Sequence, residues 1–442
     1  MASEDEGFKA SLRVLRPGPF RRYMIGEGIS MTGTWMQLMA QGWVMSTLTT
    51  SAFMLGVVNF AAGVPPMLLS MYGGSLADRF DKRRILQLAQ VTQIAIALLM
   101  AALIASHQIA LWHVMAFSVL LGVVTAFEMP AATALVPELV APEQMSAAIM
   151  VDRALFHGTR LVGPAVAGWA VGAFGAASAY VANALTFVAL MIAIATLPPR
   201  AVGTAEEEEA RQGGIGDGLR FVLGERAILM NIATIAMSTL FAFPIMIVMM
   251  PIYATQTLHL DAAGMGMLAS VSGVGSLAGV LGMLSVSRDK RLPVKVVAVL
   301  TVSGALFGLS LAGTLAQAAA SMVALTVGLS SLIGLANVTI QERAPAAMRG
   351  RVSAIAGLAF MGLGPIAGLL TPGAADIFGM QPALAGCGAL FFLGASTVLL
   401  IETRCREDAL TSAPYGPSAI DGGLPVGGSS PSGSSSTEAS AP

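Results

Sequence analysis

Long apolar stretches joined by short charged loops constrain this sequence more than any other feature. A segment of about 20 apolar residues can cross the ~30 Å hydrocarbon layer of a membrane. Because 55% of the residues are hydrophobic and only 11% are charged, the chain carries too much apolar surface to fold in water. We predict an all-α membrane protein with twelve transmembrane helices. They are expected near residues 24–48, 54–72, 86–105, 109–132, 148–173, 179–197, 228–254, 263–286, 293–313, 318–340, 352–373 and 383–401.

The basic residues occupy alternate loops, and this asymmetry predicts the orientation of the chain. Arginines and lysines precede the first predicted helix, follow helices 2, 6, 8, 10 and 12, and are absent from the six opposite loops. Basic loops are retained on the cytoplasmic side of a membrane. Both termini are therefore predicted to be cytoplasmic, in a multi-pass protein of the plasma (inner) membrane.

The two halves of the chain echo each other at an offset of about 200 residues, as in transporter folds built by duplication. Gly163-Pro164 in predicted helix 5 corresponds to Gly364-Pro365 in predicted helix 11. Between the halves, prolines, glycines and a run of glutamates indicate a solvated linker, and the Ser/Gly/Pro-rich end is too polar to fold. The predicted organisation is a cytoplasmic segment at 1–19, a six-helix bundle at 20–197, a linker at 198–226, a second six-helix bundle at 227–404 and a disordered cytoplasmic tail at 405–442.

The charged loop at 74–86, GSLADRFDKRRIL, lies between two apolar stretches. It resembles the loop between helices 2 and 3 of major facilitator superfamily transporters, and it departs from that pattern at Asp81, where the family has glycine. The resemblance implies two pseudo-symmetric six-helix bundles that alternate access to a central site. The matching residues are Gly74, Leu76, Ala77, Asp78, Arg79, Lys82, Arg83 and Leu86.

The first three predicted helices are similar to one branch of that superfamily, the enterobactin and macrolide exporters and the transmembrane secretion effectors. This resemblance implies a secondary active transporter that exports small hydrophobic or amphipathic molecules by exchange with protons. A drug, a macrolide, a siderophore or a metabolite would fit it. The residues that match include Phe20, Arg21, Ser30, Gly33, Thr34, Trp35, Met36, Gln41, Trp43, Leu48, Thr49, Ser51, Ala52, Leu55 and Gly56.

The charged loop also supplies a candidate conformational latch. In the family, the acid equivalent to Asp78 lies near the cytoplasmic start of helix 11, where the positive end of the helix dipole favours an anion. The alternative is a plain basic anchor, which would explain the arginines but not the glycine and the acid. The candidate latch residues are Gly74, Asp78, Arg79, Lys82 and Arg83.

Few charged residues lie inside the predicted helices. Because insertion of each costs at least ~2.5 kcal/mol, we expect each to have an interaction partner or a function. Glu27 in helix 1 and Glu128 in helix 4 are the candidate proton carriers, because those helices line the cavity in the superfamily. Arg160 in helix 5 would neutralise one of them or meet an anionic group of the substrate. The alternative is a structural ion-pair cluster that closes the cytoplasmic end.

Two further sets of residues carry predictions. The first resembles the glycine-proline signature of antiporters, with packing as the alternative role: Gly163, Pro164, Gly364 and Pro365. The second would supply the few polar and aromatic contacts of a mainly apolar substrate cavity: Trp35, Gln37, Gln41, Asn231 and Asn337.

Other classes of protein fit the sequence less well. None of the four lysines follows a glycine, so the chain lacks the phosphate-binding loop of an ATP-driven pump. The scattered histidines and two cysteines predict no metal site, no cofactor and no enzyme activity, and the net charge of -1 gives no reason to expect a nucleic-acid partner. The expected partners are a small-molecule substrate, protons and the lipid bilayer, for a protein that is monomeric. An importer, symporter or facilitator of a nutrient, and a transport-inactive sensor or scaffold, remain open as alternatives.

Overall fold

The computed structural model describes residues 14–198, 215–345 and 348–411, and it places most of them in helices. The side chains at 78, 215–217, 284 and 405–411 are not part of that description. The start of the predicted segment 1–19, most of the predicted linker and the tail beyond 411 lie outside the described residues.

Six long helices form the first half of the chain. Their connections are short, and polar side chains start two of the helices: the Ser51 hydroxyl accepts from the Met54 amide, and the Asp81 carboxylate accepts from the Arg83 amide. Gly175 ends the fifth helix with a φ of 82°, a conformation that favours glycine. The helices are α1 (Pro19–Leu48), α2 (Ala52–Arg79), α3 (Lys82–Ala105), α4 (Leu111–Leu135), α5 (Met145–Phe174) and α6 (Ala176–Ala195).

The second half begins after the short amphipathic helix α7 (Ile215–Gly224). Its first long segment starts as α8 (Arg226–Phe241) and continues through π-helical turns at Ile245–Met249 and Tyr253–Thr257. The last helix continues to Thr411, beyond the predicted end of the second bundle at 404. The remaining helices are α9 (Ala262–Leu284), α10 (Arg291–Leu311), α11 (Leu315–Arg343), α12 (Arg349–Met361), α13 (Leu363–Phe378) and α14 (Met380–Thr411).

The same pattern of helix pairing recurs in both halves. In the first half, α1 packs against α5 and α6, α2 packs against α4, and α3 packs against α4 and α6. In the second half, α8 packs against α13 and α14, α9 packs against α11, and α10 packs against α11 and α14. The six-helix unit is thus repeated in space as well as in sequence.

Ten of the described helical segments are long and apolar enough to cross a membrane. The other two long helices, α1 and α5, each have 30 residues but carry more polar and charged side chains. The prediction of twelve apolar helices is therefore confirmed in part. The two helices that fall short, α1 and α5, contain the charged residues Glu27 and Arg160.

Candidate functional site

Two pairs of long helices make the most extensive contacts between the halves: α2 packs against α13, and α5 packs against α9. The helical segment at 245–252 also contacts α1 and α2. Small residues permit the close approach. A Cβ atom on Gly168 of α5 would lie 2.8 Å from the carbonyl oxygen of Ala262 and 3.0 Å from the Cα atom of Gly266. The ring of Pro365 in α13 packs directly against Gly63 of α2. These contacts lie toward the end of the molecule that carries the loops at 49–51 and 258–261. We call it the opposite end, because it lies opposite the end that carries the basic loops.

Asp376 in α13 fastens the halves together at that opposite end. Its carboxylate accepts hydrogen bonds from the Ser51 hydroxyl at 2.5 Å, the Ala52 amide at 2.7 Å and the Phe53 amide at 3.2 Å. These groups form the start of α2, whose first amides have no partner within the helix and whose dipole favours an anion. The sequence predictions did not include Asp376.

The other end of the molecule, the basic end, is defined by the loops at 79–84 and 285–291. There the halves separate. The α12 helix, which continues α13 toward the basic end, packs against α7, α8 and α11 and makes no extended contact with the described first half. Nor do α4 and α11, the fourth long helix of each half, pack extensively on each other. The described contacts between the halves thus lie mainly between the opposite end and the middle of the molecule.

A polar chain crosses between the halves where α5 meets α9. The Ser276 hydroxyl lies 3.3 Å from Nδ1 of His157 and 3.0 Å from the Ser330 hydroxyl. Trp35 of α1 and Phe156 of α5 meet nearby in an edge-to-face contact, with ring centres 5.7 Å apart. The guanidinium carbon of Arg160 lies 5.5 Å from the centre of the Trp35 ring. The structure thus brings Trp35 and Arg160 together, a pairing that the sequence analysis did not predict.

Glu128 lies inside the first bundle. Its two carboxylate oxygens accept hydrogen bonds from the amide nitrogens of Gln90 and Gln93, each at 2.7 Å. Both glutamines are buried, and each leaves its amide oxygen buried without a hydrogen-bond partner. Neither glutamine figured in the sequence predictions, although the two lie three residues apart on one face of α3.

Glu27 faces Tyr23 one turn away on α1, and its charge interacts with those of Glu128 and Asp152. Glu27 therefore lies within electrostatic range of both acids, and the role of Glu27 and Glu128 as proton carriers stays a prediction. No ion pair joins Arg160 to Glu27 or Glu128 among the described residues, so the idea that Arg160 neutralises one of them is not supported by contact.

The candidate latch loop makes its described contacts within the first half. Lys82 forms an ion pair with Glu138 at 3.0 Å, and Arg83 donates to the Leu197 carbonyl at 3.2 Å. A side chain on Gly74 would meet open space, and Arg79 is exposed. The Asp78 side chain lies outside the described residues, so its role as a latch stays a prediction.

The departure at Asp81 has a local explanation. Where the superfamily pattern has glycine, this aspartate caps the start of α3, its carboxylate accepting from the Arg83 amide at 3.0 Å. The cap satisfies an amide that has no partner within the helix.

The glycine-proline pairs do not occupy equivalent surroundings. Gly163 lies against Trp35 and Thr32 of α1, and the Pro164 carbonyl faces Gly266 across the interface. Pro365 contacts α2, as described above. A side chain on Gly364 would meet no atom within 4 Å.

Most of the polar side chains predicted to line a cavity form hydrogen bonds within the protein. Gln37 accepts from Asn183 at 2.8 Å within the first bundle, and Gln41 donates to Ser118 at 3.2 Å. Asn337 is exposed and donates to the carbonyl of its own helix. Their contribution to substrate binding stays a prediction.

Asn231 belongs to a buried charge network that the sequence did not reveal. The Lys295 ammonium group donates to Oδ1 of Asn231 at 2.7 Å and to the two carboxylate oxygens of Glu402 at 2.8 and 3.0 Å. The exposed fraction of Lys295 is only 1%. In the sequence, Lys295 lies close to the basic cluster at 288–291, and nothing there distinguishes it from a loop lysine.

Comparisons with known proteins agree with this architecture. A family model described as a transmembrane secretion effector matches residues 9–421. The multidrug efflux pump Tap of Mycolicibacterium fortuitum is 24% identical over 408 residues, which cover 90% of this chain and 98% of the pump. The staphyloferrin A transporter of Staphylococcus aureus (strain NCTC 8325 / PS 47) is 27% identical over 164 residues, covering 37% of this chain and 41% of the transporter. The chain thus spans less than half the length of that relative.

Solved structures share the fold. A bacterial homologue of the human lysosomal transporter Spinster, in an inward-facing and unoccupied conformation, has a TM-score of 0.69 at 15% identity and covers 90% of this chain and 98% of its own. A bacterial homologue of the iron transporter ferroportin, in an inward-facing state, has a TM-score of 0.66 at 14% identity, with coverages of 89% and 98%. At these identities the likeness shows the fold alone.

Proposed function

Because the chain belongs to the transmembrane secretion effector family of the major facilitator superfamily, we propose that it exports small hydrophobic or amphipathic molecules by proton antiport. The family match confirms the resemblance that the charged loop and the first helices predict. The protein is a multi-pass membrane transporter. Export, exchange for protons and the class of substrate are what we propose.

The observation that carries the proposal is that the described halves contact each other at the opposite end and not at the basic end, from which we infer a cleft that opens at the basic end. In alternating access, two rigid halves rock about a central site that opens to one side at a time. We propose that all twelve long segments cross the membrane and that the basic end and both termini are cytoplasmic. The cleft then faces the cytoplasm, where an exporter collects its substrate.

One named relative favours export. The alignment with the multidrug efflux pump Tap covers 90% of this chain, and we propose on that ground that this protein also exports its substrate. The relative that matches only part of the chain transports staphyloferrin A, so a siderophore stays among the proposed substrates.

Glu128 and Glu27 are the proposed proton carriers. A carboxyl group that takes up a proton needs an acceptor for its new O–H group, and rotation of either buried glutamine amide would supply one. Glu27 interacts with Glu128 and Asp152, so proton binding at one acid depends on the charge of the others.

Proteoliposomes that contain a pH-sensitive dye test the proposal. We expect lipophilic drugs and macrolides added under an imposed proton gradient to cause proton movement, which Glu128→Gln and Glu27→Gln abolish. Glu143→Gln, an exposed acid in the loop before α5, is the matched control and should behave like the unmodified protein. Substrate counterflow without proton movement would indicate a facilitator. Accumulation of substrate on the side of the basic loops would indicate an importer.

A further inference from the structure

Arg160 lies on the face of α5 that is turned away from the outer surface of the molecule. At 100° per residue, Trp169 lies 180° around the helix from Arg160, and Trp169 is 64% exposed. Val162, also on the outer side, is 50% exposed. Such large exposed apolar side chains face lipid in a membrane transporter. Arg160 and Phe156 therefore lie on the inner side of α5, between the contacts of this helix with α1 and α9.

The described residues give Arg160 an aromatic neighbour but no anion. No carboxylate lies within ion-pairing distance, no protein group accepts a hydrogen bond from the guanidinium, and none of its nitrogen atoms is sealed from solvent. A charge at membrane depth is costly, and a cation–π contact such as that with Trp35 compensates only part of the cost. Arg160 therefore still lacks a partner of opposite charge.

The neighbouring helices make the missing anion harder to supply from the protein. His157 lies within electrostatic range of both Arg153 and Arg160, and the acid in this stretch of α5, Asp152, interacts with Arg153. Across the interface, the sequence of α9 contains no charged residue, and α11 carries charge only at Glu342 and Arg343 in its last turn. Movement of the halves would not bring a carboxylate from the middle of α9 or α11 to Arg160.

We propose that Arg160 binds the carboxylate of an amphipathic substrate, while Trp35 and Phe156 contact its aromatic or apolar part. This inference rests on the proposed transport function and narrows its substrate class to organic anions. A planar guanidinium, which is always charged, holds a carboxylate through two parallel N–H···O bonds. The half-buried Trp35–Phe156 pair supplies an apolar surface beside that charge.

Matched pairs of ligands test the proposal on the purified full chain in phosphatidylcholine nanodiscs, where no anionic lipid competes for Arg160. The probes are aromatic carboxylic acids of increasing size, beginning with 1-naphthaleneacetic acid, each paired with its primary amide. We expect at least one acid to bind 10-fold or more tightly than its amide. Arg160→Gln should remove this preference and leave amide binding within about threefold, and Arg160→Lys should retain part of it. Trp35→Leu should weaken binding of acid and amide alike.

The matched control is Arg404→Gln, which removes an exposed arginine from the end of α14 and should keep the preference for the acid. Unchanged amide binding shows that Arg160→Gln is folded. The proposal is overturned if no acid binds more tightly than its amide, or if Arg160→Gln keeps the preference. Proton-coupled movement of neutral drugs with no acid preference would leave the export function standing and remove this inference. An acid preference without any transport would support this inference and contradict the export function.

Discussion

Lys295 is enclosed by the second bundle, where its ammonium group meets the Glu402 carboxylate and the amide oxygen of Asn231. Three helices contribute to this network, α8, α10 and α14. A buried ion pair adds little net stability relative to apolar residues of similar volume, but removal of one partner leaves the other charge uncompensated. The network therefore fixes how these three helices pack.

Lys295→Met should destabilise the protein by ~3–5 kcal/mol, because the Glu402 charge would remain buried without its cation. The double variant Lys295→Met/Glu402→Leu should recover most of the loss, since both charges are gone. Thermal unfolding in detergent measures the effect, with the exposed Arg404→Gln as control. If the single and double variants lost the same stability, the pair would not be the source of the effect.

Residue chemistry read from the sequence identified the right types of side chain but few of their partners. Glu27, Glu128 and Arg160 were predictable as exceptional charges in apolar helices. The partners of other buried charges were not, because Lys295 and Glu402 are 107 positions apart in the chain and Asp376 is 324 positions from Ala52. A single sequence carries no signal for such distant pairs.

At the scale of helices, small residues decide where the halves can approach each other. Gly168 and Gly266 face each other across the α5–α9 interface, and a Cβ on either would meet backbone atoms of the other helix. Backbone cannot move aside as a flexible side chain can, so the whole helix would have to shift. In membranes, packing of this kind replaces the hydrophobic effect as the force that joins helices.

Gly168→Ala should therefore weaken closure of the opposite end by ~1–3 kcal/mol, the usual cost of overpacking. We expect a lower rate of substrate counterflow in proteoliposomes. Gly172→Ala is the matched control one turn along the same helix, where a Cβ would have no neighbour within 4 Å, and it should transport normally. Equal rates for the two variants would mean that α5–α9 contact does not limit the cycle. Size-exclusion profiles establish that both variants are folded.

Helix ends were easier to foresee than helix contacts. Basic loops and apolar lengths predicted the succession of helices, and Asp81 is the type of residue that starts a helix. The π-helical turns at 245–249 and 253–257 were not predictable, because the sequence there continues an ordinary apolar run. The polarity of α1 and α5 is evident in the sequence. In the structure, these two helices contribute clusters of polar and charged side chains to the first bundle.

At the scale of the whole molecule, Asp376 and the charged loop at 74–86 lie at opposite ends of the same helix, α2. Asp376 binds the start of α2 and holds the opposite end closed. The family resemblance implies that Asp78, at the other end of α2, stabilises closure of the basic end. Because α2 carries both contacts, we expect that the opposite end and the basic end are not closed at the same time.

Asp376→Asn should shift the resting population from a cleft open at the basic end toward one open at the opposite end. An amide accepts more weakly than a carboxylate, and hydrogen bonds to a charged group contribute ~1.5–3 kcal/mol. Spin labels on a cysteine-free background report the change: a Thr133/Gln341 pair at the basic end should move closer together, and a Trp112/Ala316 pair at the opposite end should move apart. Asp261→Asn, which removes a helix-capping carboxylate within the second half, is the control and should alter neither distance. Because rigid halves that rock about one site must open one end as they close the other, distances that changed in the same direction would contradict alternating access itself.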